Sequence, residues 1–171
     1  SVVSDQSRTV PSSAAEATTW PDASMRPGMP DPAKIPPGPL DGLVVIDLTR
    51  VRWQNMAQER GVVVRVDSDF APDLPNVLGA ESEVRDAMTN LMLNAVDALP
   101  DGGVITLRSR HNVRDSEVVI EIEDNGVGMS ETVRSRCLEP FFTTKGERGT
   151  GLGLTMVFGM MQRHGGELEI D

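Results

Sequence analysis

The chain has 171 residues, of which 39 % are hydrophobic and 4 % aromatic, and its formal net charge is −10. This length suits one domain, or one domain with a tail, and the negative charge argues against non-specific binding to nucleic acid or to an anionic membrane. The single cysteine, Cys137, excludes an internal disulfide framework and fits a reducing compartment.

The first 42 residues differ in composition from the rest of the chain. They contain most of the prolines, together with many Ser, Ala and Thr residues. Such a segment cannot bury enough apolar surface to offset the entropy that is lost on ordering. We therefore predict a disordered linker or tail at residues 1–42, with a binding peptide inside it as the alternative, and a folded domain at residues 43–171.

The first half of the predicted domain contains two helices and a strand. Residues 47–60 start with a capping aspartate and predict a helix with a weak apolar stripe. Val62, Val64 and Val66 alternate along one face, which predicts a strand. The strongest helix covers residues 80–100, because its apolar side chains fall on one stripe. The members of this stripe are Val84, Met88, Leu91, Met92, Ala95 and Leu99.

In the second half, residues 104–110 and 117–123 alternate in polarity and predict a pair of antiparallel strands. Residues 125–150 show little periodicity beyond a short helix capped by Ser130, and loops of that length are uncommon unless they act as lids or binding segments. A helix at residues 152–164 and a last strand follow. Mixed, mostly antiparallel strands with helices to one side predict an α+β fold, a two-layer α/β sandwich.

Three short segments of the chain carry residues suited to chemistry, and the first is on the strongest helix. Asn90, Asn94 and Asp97 fall on an arc opposite the apolar stripe, at about 100° per residue. Asparagine is a poor helix former, so two of them one turn apart are unusual. The arrangement is typical either of a solvated polar face or of oxygen ligands for a hard cation such as Mg²⁺.

The second segment is the run DNGVGM at residues 124–129. Asp124 ends the second of the paired strands, and Gly126 and Gly128 let the backbone approach a ligand. A carboxylate at this place can accept a hydrogen bond from an exocyclic amine, which favours adenine over guanine. A hairpin turn is the alternative, although no partner strand follows.

The third segment is the run KGERGTGLGL at residues 145–154. Lys145 precedes Gly149, Gly151 and Gly153, and a helix begins within the run. Glycine-rich backbone at a helix N-terminus binds anions through free N–H groups, and a nearby lysine adds a positive charge for phosphate. A flexible loop is the alternative. The sequence contains no P-loop, dinucleotide fingerprint or protein-kinase motif.

Together the three segments match the metal, the base and the phosphates of a Mg-nucleotide, and four motifs resemble one family. NLMLNAVDALPDGG, DNGVGM, EPFFTTK and GTGLGL are similar to the N, G1, F and G2 boxes of the ATP-binding catalytic domain of bacterial sensor histidine kinases. Among sensor kinases, the motif sequences are most similar to those of the nitrogen-regulator-like and hybrid type. The superfamily also contains gyrase B, Hsp90-type chaperones and MutL, and the resemblance covers residues 43–171.

The resemblance implies a Bergerat-type ATP-binding fold with a lid at residues 125–150, and it implies roles for single residues. Asn94 ligates Mg²⁺ with Asn90 beside the metal and the phosphates, Asp124 binds the adenine amine, and Phe141 and Phe142 anchor the lid. Asn90 and Lys145 are the expected catalytic residues. The expected nucleotide-binding residues are Asn90, Asn94, Asp124, Gly126, Gly128, Thr144, Lys145, Gly149, Thr150, Gly151, Leu152 and Gly153.

The resemblance also implies a cytoplasmic protein-histidine kinase that uses ATP and Mg²⁺ to phosphorylate a histidine on a dimerisation hairpin, with a response regulator downstream. Neither His111, expected in an exposed loop, nor His164, in a structural turn, fits the phosphoacceptor pattern. That histidine and the last strand of the family domain are therefore expected outside this chain. The alternatives are a non-catalytic nucleotide sensor and an ATP-hydrolysing clamp of the gyrase kind, which carries Glu where this chain has Asn90.

Overall fold

The computed structural model describes residues 14–21, 50, 54–72, 74–75, 77, 80–114, 117–146 and 149–171. The strands of this part are β1 (Ala14–Pro21), β2 (Val64–Phe70), β3 (Gly103–Asn112), β4 (Glu117–Asp124) and β5 (Glu167–Ile170). The helices are α1 (Glu81–Asp97), α2 (Glu131–Arg134) and α3 (Gly153–His164), and residues 54–59 are also helical.

The strands form a single sheet in the order β2-β3-β4-β1-β5. β2 and β3 pair in parallel, whereas the pairs β3–β4, β4–β1 and β1–β5 are antiparallel. This topology confirms the predicted α+β fold with a mixed, mostly antiparallel sheet. The predicted antiparallel pair is β3 with β4.

The two faces of the sheet differ in chemistry, because side chains alternate along each strand. Ile105 and Ile122 lie on the face that packs against the helices and are buried. On the opposite face, Arg108 pairs with Glu123 at 2.6 Å across two strands, and both side chains are partly exposed. The apolar face therefore carries the core, and the charged face borders solvent.

Helix α1 supplies half of the buried residues of the core. Its predicted apolar stripe is confirmed, because all six members are exposed by 5 % or less. The stripe forms one cluster with Val157, Met160 and Met161 of α3 and with the apolar face of the sheet. Burial of one large apolar side chain contributes about 1.5–3 kcal/mol to stability. Packing of the apolar stripe therefore fixes the orientation of α1 relative to the sheet.

His164 joins the end of α3 to the start of α1. Its Nε2 accepts the backbone N–H of Ala80 at 3.4 Å, and its Nδ1 lies 2.9 Å from the carbonyl oxygen of Met160. Gly165 follows with a φ of 68°, a left-handed conformation that ends the helix. The structural turn predicted at His164 is thus confirmed. The expectation for His111 is wrong, because this residue lies in β3 and is half-buried.

The prediction of a disordered segment at residues 1–42 is wrong for Ala14–Pro21, which form β1. β1 pairs with β4 on one side and with β5 on the other, and the buried hydroxyl of Thr18 donates to the carbonyl oxygen of Ile120 at 3.3 Å. Composition missed this strand because pairing depends more on available partners than on intrinsic propensity, and β4 and β5 both offer backbone groups that need partners. The rest of residues 1–42 lies outside the described part.

Other elements differ from the predictions mainly in their bounds. The helix predicted at residues 47–60 is helical at residue 50 and residues 54–59, and residues 47–49 and 51–53 lie outside the described part. β2 begins at Val64, so Val62 precedes the strand. Ser130 caps α2 as predicted, because its hydroxyl accepts the N–H of Val133 at 3.3 Å. No described helix combines the length and the apolar character that crossing a membrane requires.

The placement of β1 can be tested by unfolding. Thr18→Asp puts a carboxylate at a position with 1 % exposure, and we expect the free energy of unfolding to fall by about 2–4 kcal/mol. Thr132→Asp, the same change at an exposed position of α2, should alter it by less than about 0.5 kcal/mol. Urea denaturation followed by circular dichroism measures both. Equal stability of the two variants would show that β1 does not occupy the sheet.

Candidate functional site

A cleft of about 1050 Å³ opens along the polar side of α1. Its walls are α1, the turn after β4, the lid and the start of α3. Most of the predicted nucleotide-binding residues line this cleft, namely Asn90, Asn94, Gly128, Thr144, Lys145, Gly149, Thr150, Gly151 and Gly153. Asp124, Gly126 and Leu152 are not part of its lining.

The floor of the cleft is the polar side of α1. Asn90, Asn94 and Asp97 are spaced by about one turn, and all three line the cleft. The Nζ atom of Lys145 lies 3.1 Å from Oδ1 of Asn94 and 2.7 Å from Oδ2 of Asp97. These contacts connect the lid to α1. The polar arc therefore lines the cleft and contacts the lid, and it is not a plain solvated face.

Asp97 also binds a second cation, Arg60, which sequence reasoning did not select. Nη2 of Arg60 pairs with Oδ1 of Asp97, and its Nη1 lies 3.5 Å from the carbonyl oxygen of Val96. Burial by itself would raise the pKa of Asp97, but hydrogen bonds and charges of Lys145 and Arg60 hold that pKa below its ordinary value. Asp97 is therefore an ionised carboxylate at neutral pH, shared by two cations.

The turn after β4 is fixed by contacts with two neighbouring elements. The N–H of Val127 donates to the carbonyl oxygen of Ala98, the C-cap of α1, at 2.9 Å. Oδ1 of Asn125 accepts the N–H of Val104 in β3 at 2.8 Å. A Cβ at Gly126 would lie less than 3.0 Å from the Ala98 carbonyl oxygen, so the turn requires glycine there. Because the chain returns to α1, the hairpin alternative is wrong.

Asp124 lies behind this turn. It is 7 % exposed, and its Oδ1 accepts the N–H of Gly126 at 2.9 Å. Burial raises the pKa of Asp124, the Gly126 N–H opposes this rise, and the charge of Glu123 adds to it. Val127 and Gly128 line the cleft next to it. The carboxylate predicted to bind a base is thus adjacent to the cleft wall and largely covered by the turn.

The end of the lid leads into α3 through closely packed glycines. Gly151 has a φ of 65°, and its carbonyl oxygen accepts the N–H of Phe141 at 2.9 Å. Leu152 is the N-cap of α3 and provides no side-chain cap. A Cβ at Gly153 would lie 3.6 Å from Oδ1 of Asn90. The N-terminus of α3 therefore borders the side-chain amide of Asn90. Because this end has no side-chain cap, its N–H groups can bind an anion.

The two phenylalanines of the lid have different environments. Phe142 lines the cleft, and the guanidinium of Arg136 stacks over its ring, 4.3 Å from the centroid. Phe141 is 74 % exposed and has a φ of 67°. The expectation that both rings anchor the lid is therefore wrong for the Phe141 side chain. What Phe141 contributes is its backbone contact with Gly151.

Sequence reasoning also missed apolar parts of the lining. Leu93 lines the cleft and lies three residues after Asn90, so helical spacing alone could have identified it. Met56 and Arg60 both line the cleft and are four residues apart, which places one face of residues 54–59 against it. The weak apolar stripe of that segment obscured this signal.

Comparison with known proteins identifies the family. The family described as "Histidine kinase-, DNA gyrase B-, and HSP90-like ATPase" matches residues 79–171. The chain is 38 % identical over 144 residues to "Sensor kinase CckA" of Brucella abortus, covering 74 % of this chain and 15 % of that protein. It is 39 % identical over 110 residues to "Nitrogen regulation protein NtrY" of Azorhizobium caulinodans, covering 61 % of this chain and 14 % of that protein.

A solved structure agrees with the sequence relatives. Full-length ShkA in complex with AMPPNP superposes with a TM-score of 0.60 at 25 % identity, covering 75 % of this chain and 26 % of that one. The chain spans only 14–15 % of the length of the two sequence relatives. It therefore belongs to the histidine kinase-, DNA gyrase B- and HSP90-like ATPase family, as an ATP-binding catalytic module of the sensor histidine kinase kind.

Proposed function

We propose that this module transfers the γ-phosphate of Mg-ATP to a histidine on a dimerisation hairpin. One observation carries the proposal: Lys145, the α1 amides and the N-terminus of α3 border a single cleft. They are a cation, oxygen ligands and N–H donors, which are the groups that a metal-bound triphosphate requires. The relatives named as a sensor kinase and a nitrogen regulation protein support the same assignment.

Neither histidine of the chain is suited to accept the phosphate. His164 uses both ring nitrogens in contacts with Ala80 and Met160, at the end of α3 that is opposite the cleft. His111 is paired with Val118 in the sheet and does not line the cleft. The acceptor histidine therefore belongs to a separate hairpin in this proposal.

The donor set of the cleft fits Mg²⁺. Asn94 and Asn90 offer amide oxygens on one side of α1, and hard oxygen ligands are those that Mg²⁺ takes. The described residues contain no group of three or more His, Cys, Asp or Glu that could hold a metal. An ion bound in the cleft would therefore take few protein ligands and complete its shell with water and substrate phosphates. When bound, it neutralises charge on the phosphates.

Asp124 is proposed to bind the adenine amine through its covered carboxylate. Its Oδ1 is used by the turn, and the neighbouring residues Val127 and Gly128 line the cleft. A charged hydrogen bond from an exocyclic amine contributes about 1.5–3 kcal/mol. Guanine places a carbonyl oxygen at the same point and is therefore rejected. Base selection and phosphate binding then occur at opposite walls of one cleft.

Phosphoryl transfer depends mainly on positioning and on stabilisation of charge. Lys145 and the N–H groups at Gly153 supply positive charge and donors where phosphate oxygens carry the developing negative charge. Asn90 stands at the position where ATP-hydrolysing clamps carry a glutamate that activates water. An amide cannot take a proton from water, so this residue favours transfer over hydrolysis.

The partners follow from this role. The module acts on ATP and on a phosphoacceptor hairpin, and the phosphate passes on to a response regulator in a two-component system or phosphorelay. We place this activity in the cytoplasm, where ATP is available.

The proposal can be tested with γ-labelled ATP and the cognate phosphoacceptor hairpin. We expect acid-labile label on the hairpin, because phosphohistidine is hydrolysed by acid. Release of free phosphate without labelled protein would instead show an ATP-hydrolysing clamp, and nucleotide binding without either product would show a sensor module. Both of those outcomes contradict the proposal.

Asp124→Asn should weaken ATP binding by about 10- to 100-fold, because it removes the charge of the acceptor and leaves its volume unchanged. Isothermal titration calorimetry measures the dissociation constant. Asp69→Asn makes the same change at an exposed position of β2 outside the cleft lining and should leave the affinity unchanged. Equal ATP affinity in Asp124→Asn and the unmodified chain would refute the adenine assignment.

The same variant should not lose stability at neutral pH. Burial raises the folded-state pKa of Asp124 above its ordinary value of 3.8, so the ionised form destabilises the fold above the raised pKa. This cost declines as the pH falls through the folded pKa and is absent below about pH 3.8. We expect Asp124→Asn to equal or exceed the unmodified chain in urea resistance at pH 7 and to lose that advantage near pH 4. A less stable variant at pH 7 would contradict the cause given for the shift.

Asn94→Ala should remove most of the Mg²⁺ dependence of nucleotide binding. We expect the gain in ATP affinity on adding Mg²⁺ to shrink by about tenfold or more, because one metal ligand is lost. Gln162→Ala, which removes an exposed amide from α3 outside the cleft, is the matched control. Calorimetric titrations with Mg²⁺ and with EDTA measure the gain. An unchanged gain would show that Asn94 does not ligate the metal.

A further inference from the structure

We propose that Asp97 is a positioning residue that holds Lys145 against α1 and releases it when a metal-bound triphosphate enters the cleft. This inference rests on the proposed function, because it concerns the lysine that binds phosphate there. It assigns a role to a carboxylate that neither the motif resemblance nor the phosphate chemistry requires. The contact between Asp97 and Lys145 is called the latch below.

The latch uses most of the hydrogen-bonding capacity of Lys145. Its ammonium donates to Oδ2 of Asp97 at 2.7 Å and to Oδ1 of Asn94 at 3.1 Å, which occupies two of its three donors. The side chains of Asp97 and Lys145 are 21 % and 39 % exposed, so the pair is partly shielded from water. A Lys145 that binds phosphate oxygens with several donors must give up at least one of these contacts.

The contact between Lys145 and Asn94 couples release of the lysine to binding of the metal. Oδ1 of Asn94 is the oxygen proposed to ligate Mg²⁺, and it already accepts a hydrogen bond from the ammonium. Two cations at one amide oxygen repel each other strongly at such a distance. A metal held by Oδ1 of Asn94 would therefore disfavour the contact between Lys145 and Asn94, and phosphate oxygens would offer the ammonium new acceptors.

Because Arg60 also binds Asp97, release of Lys145 does not leave the Asp97 carboxylate unpaired. Arg60 binds Oδ1 of Asp97, while Lys145 binds Oδ2, so the two cations use different oxygens. When Lys145 leaves, Asp97 still has a charge partner and a hydrogen bond. Breaking a half-buried pair without such a second partner would be more costly. The arrangement of Arg60, Asp97 and Lys145 thus suits a contact between Asp97 and Lys145 that opens and closes repeatedly.

The latch also connects the state of Lys145 to the lid. The backbone N–H of Lys145 donates to the hydroxyl of Thr143 at 3.1 Å, and the N–H of Gly149 donates to the carbonyl oxygen of Gly146 at 3.2 Å. The segment around Lys145 is therefore internally bonded, and movement of the ammonium away from α1 allows this part of the lid to shift with it.

The test measures affinity for AMPPNP with Mg²⁺ by calorimetry in a double-mutant cycle. Asp97→Asn removes the charge of the latch, and we expect binding to become about two- to fivefold tighter, as the small energy of a partly exposed ion pair implies. Asp69→Asn, which changes an exposed carboxylate of β2 outside the cleft lining, should leave the affinity unchanged. In a Lys145→Gln background, Asp97→Asn should give no gain, because there is no latch to release.

The cycle separates the latch from simple repulsion between Asp97 and the phosphates. If Asp97→Asn tightened AMPPNP binding equally with and without Lys145, the cause would be repulsion between Asp97 and the phosphates. That result would overturn the inference. Weaker binding in Asp97→Asn would mean that Asp97 supports the metal or the phosphates, which also overturns it. Failure of the unmodified chain to bind AMPPNP would instead sink the proposed function.

A second measurement needs no nucleotide. Trypsin must take the Lys145 ammonium into its own pocket to cleave the bond between Lys145 and Gly146, so the latch slows this cleavage. We expect it to be about two- to fivefold faster in Asp97→Asn than in Asp69→Asn or the unmodified chain, because cleavage tracks the open population. Mass spectrometry identifies the cut, and thermal unfolding confirms that all variants are folded. Equal rates would overturn the latch.

Discussion

A single helix must satisfy two demands in this protein. One side of α1 forms the centre of the hydrophobic core, and the other side is the floor of the cleft. Because residues three and four positions apart share a helix face, packing of the apolar stripe determines where Asn90, Asn94 and Asp97 lie. The site is thus a consequence of the core, and a change that rotates α1 moves every polar group of the floor.

The remaining walls meet α1 through contacts of different strength. The bond between Val127 and Ala98 is a main-chain hydrogen bond, and the backbone of Gly153 lies so near Asn90 that a Cβ at Gly153 would be in van der Waals contact with its side chain. These contacts fix the turn after β4 and the start of α3. The part of the lid around Lys145 contacts α1 through a partly exposed ion pair with Asp97, and such pairs are worth about 0–1 kcal/mol. The contact between Lys145 and Asp97 is therefore more easily broken than the main-chain contact of the turn.

The sequence predicted the parts of the structure that repeat or that follow from local chemistry. The stripe of α1, the alternation of β3 and β4, and the Ser130 cap all rest on spacing or on neighbouring residues. Most of the expected site residues line one cleft, which was predicted from the combination of the three motifs and from the family resemblance. Contacts between segments distant in the chain could not be predicted in this way. They include the pairing of β1, the ion pair of Arg60 with Asp97 and the covered position of Asp124.

The central claim is that three segments, distant in the chain, bind one metal-triphosphate in one cleft. Amide hydrogen exchange measured by mass spectrometry, with increasing AMPPNP and Mg²⁺, tests this most directly. We expect residues 90–97, residues 124–129 and residues 145–154 to become protected together, with half-maximal protection at the same nucleotide concentration. Protection of only one of these segments, or midpoints that differ between them, would contradict it.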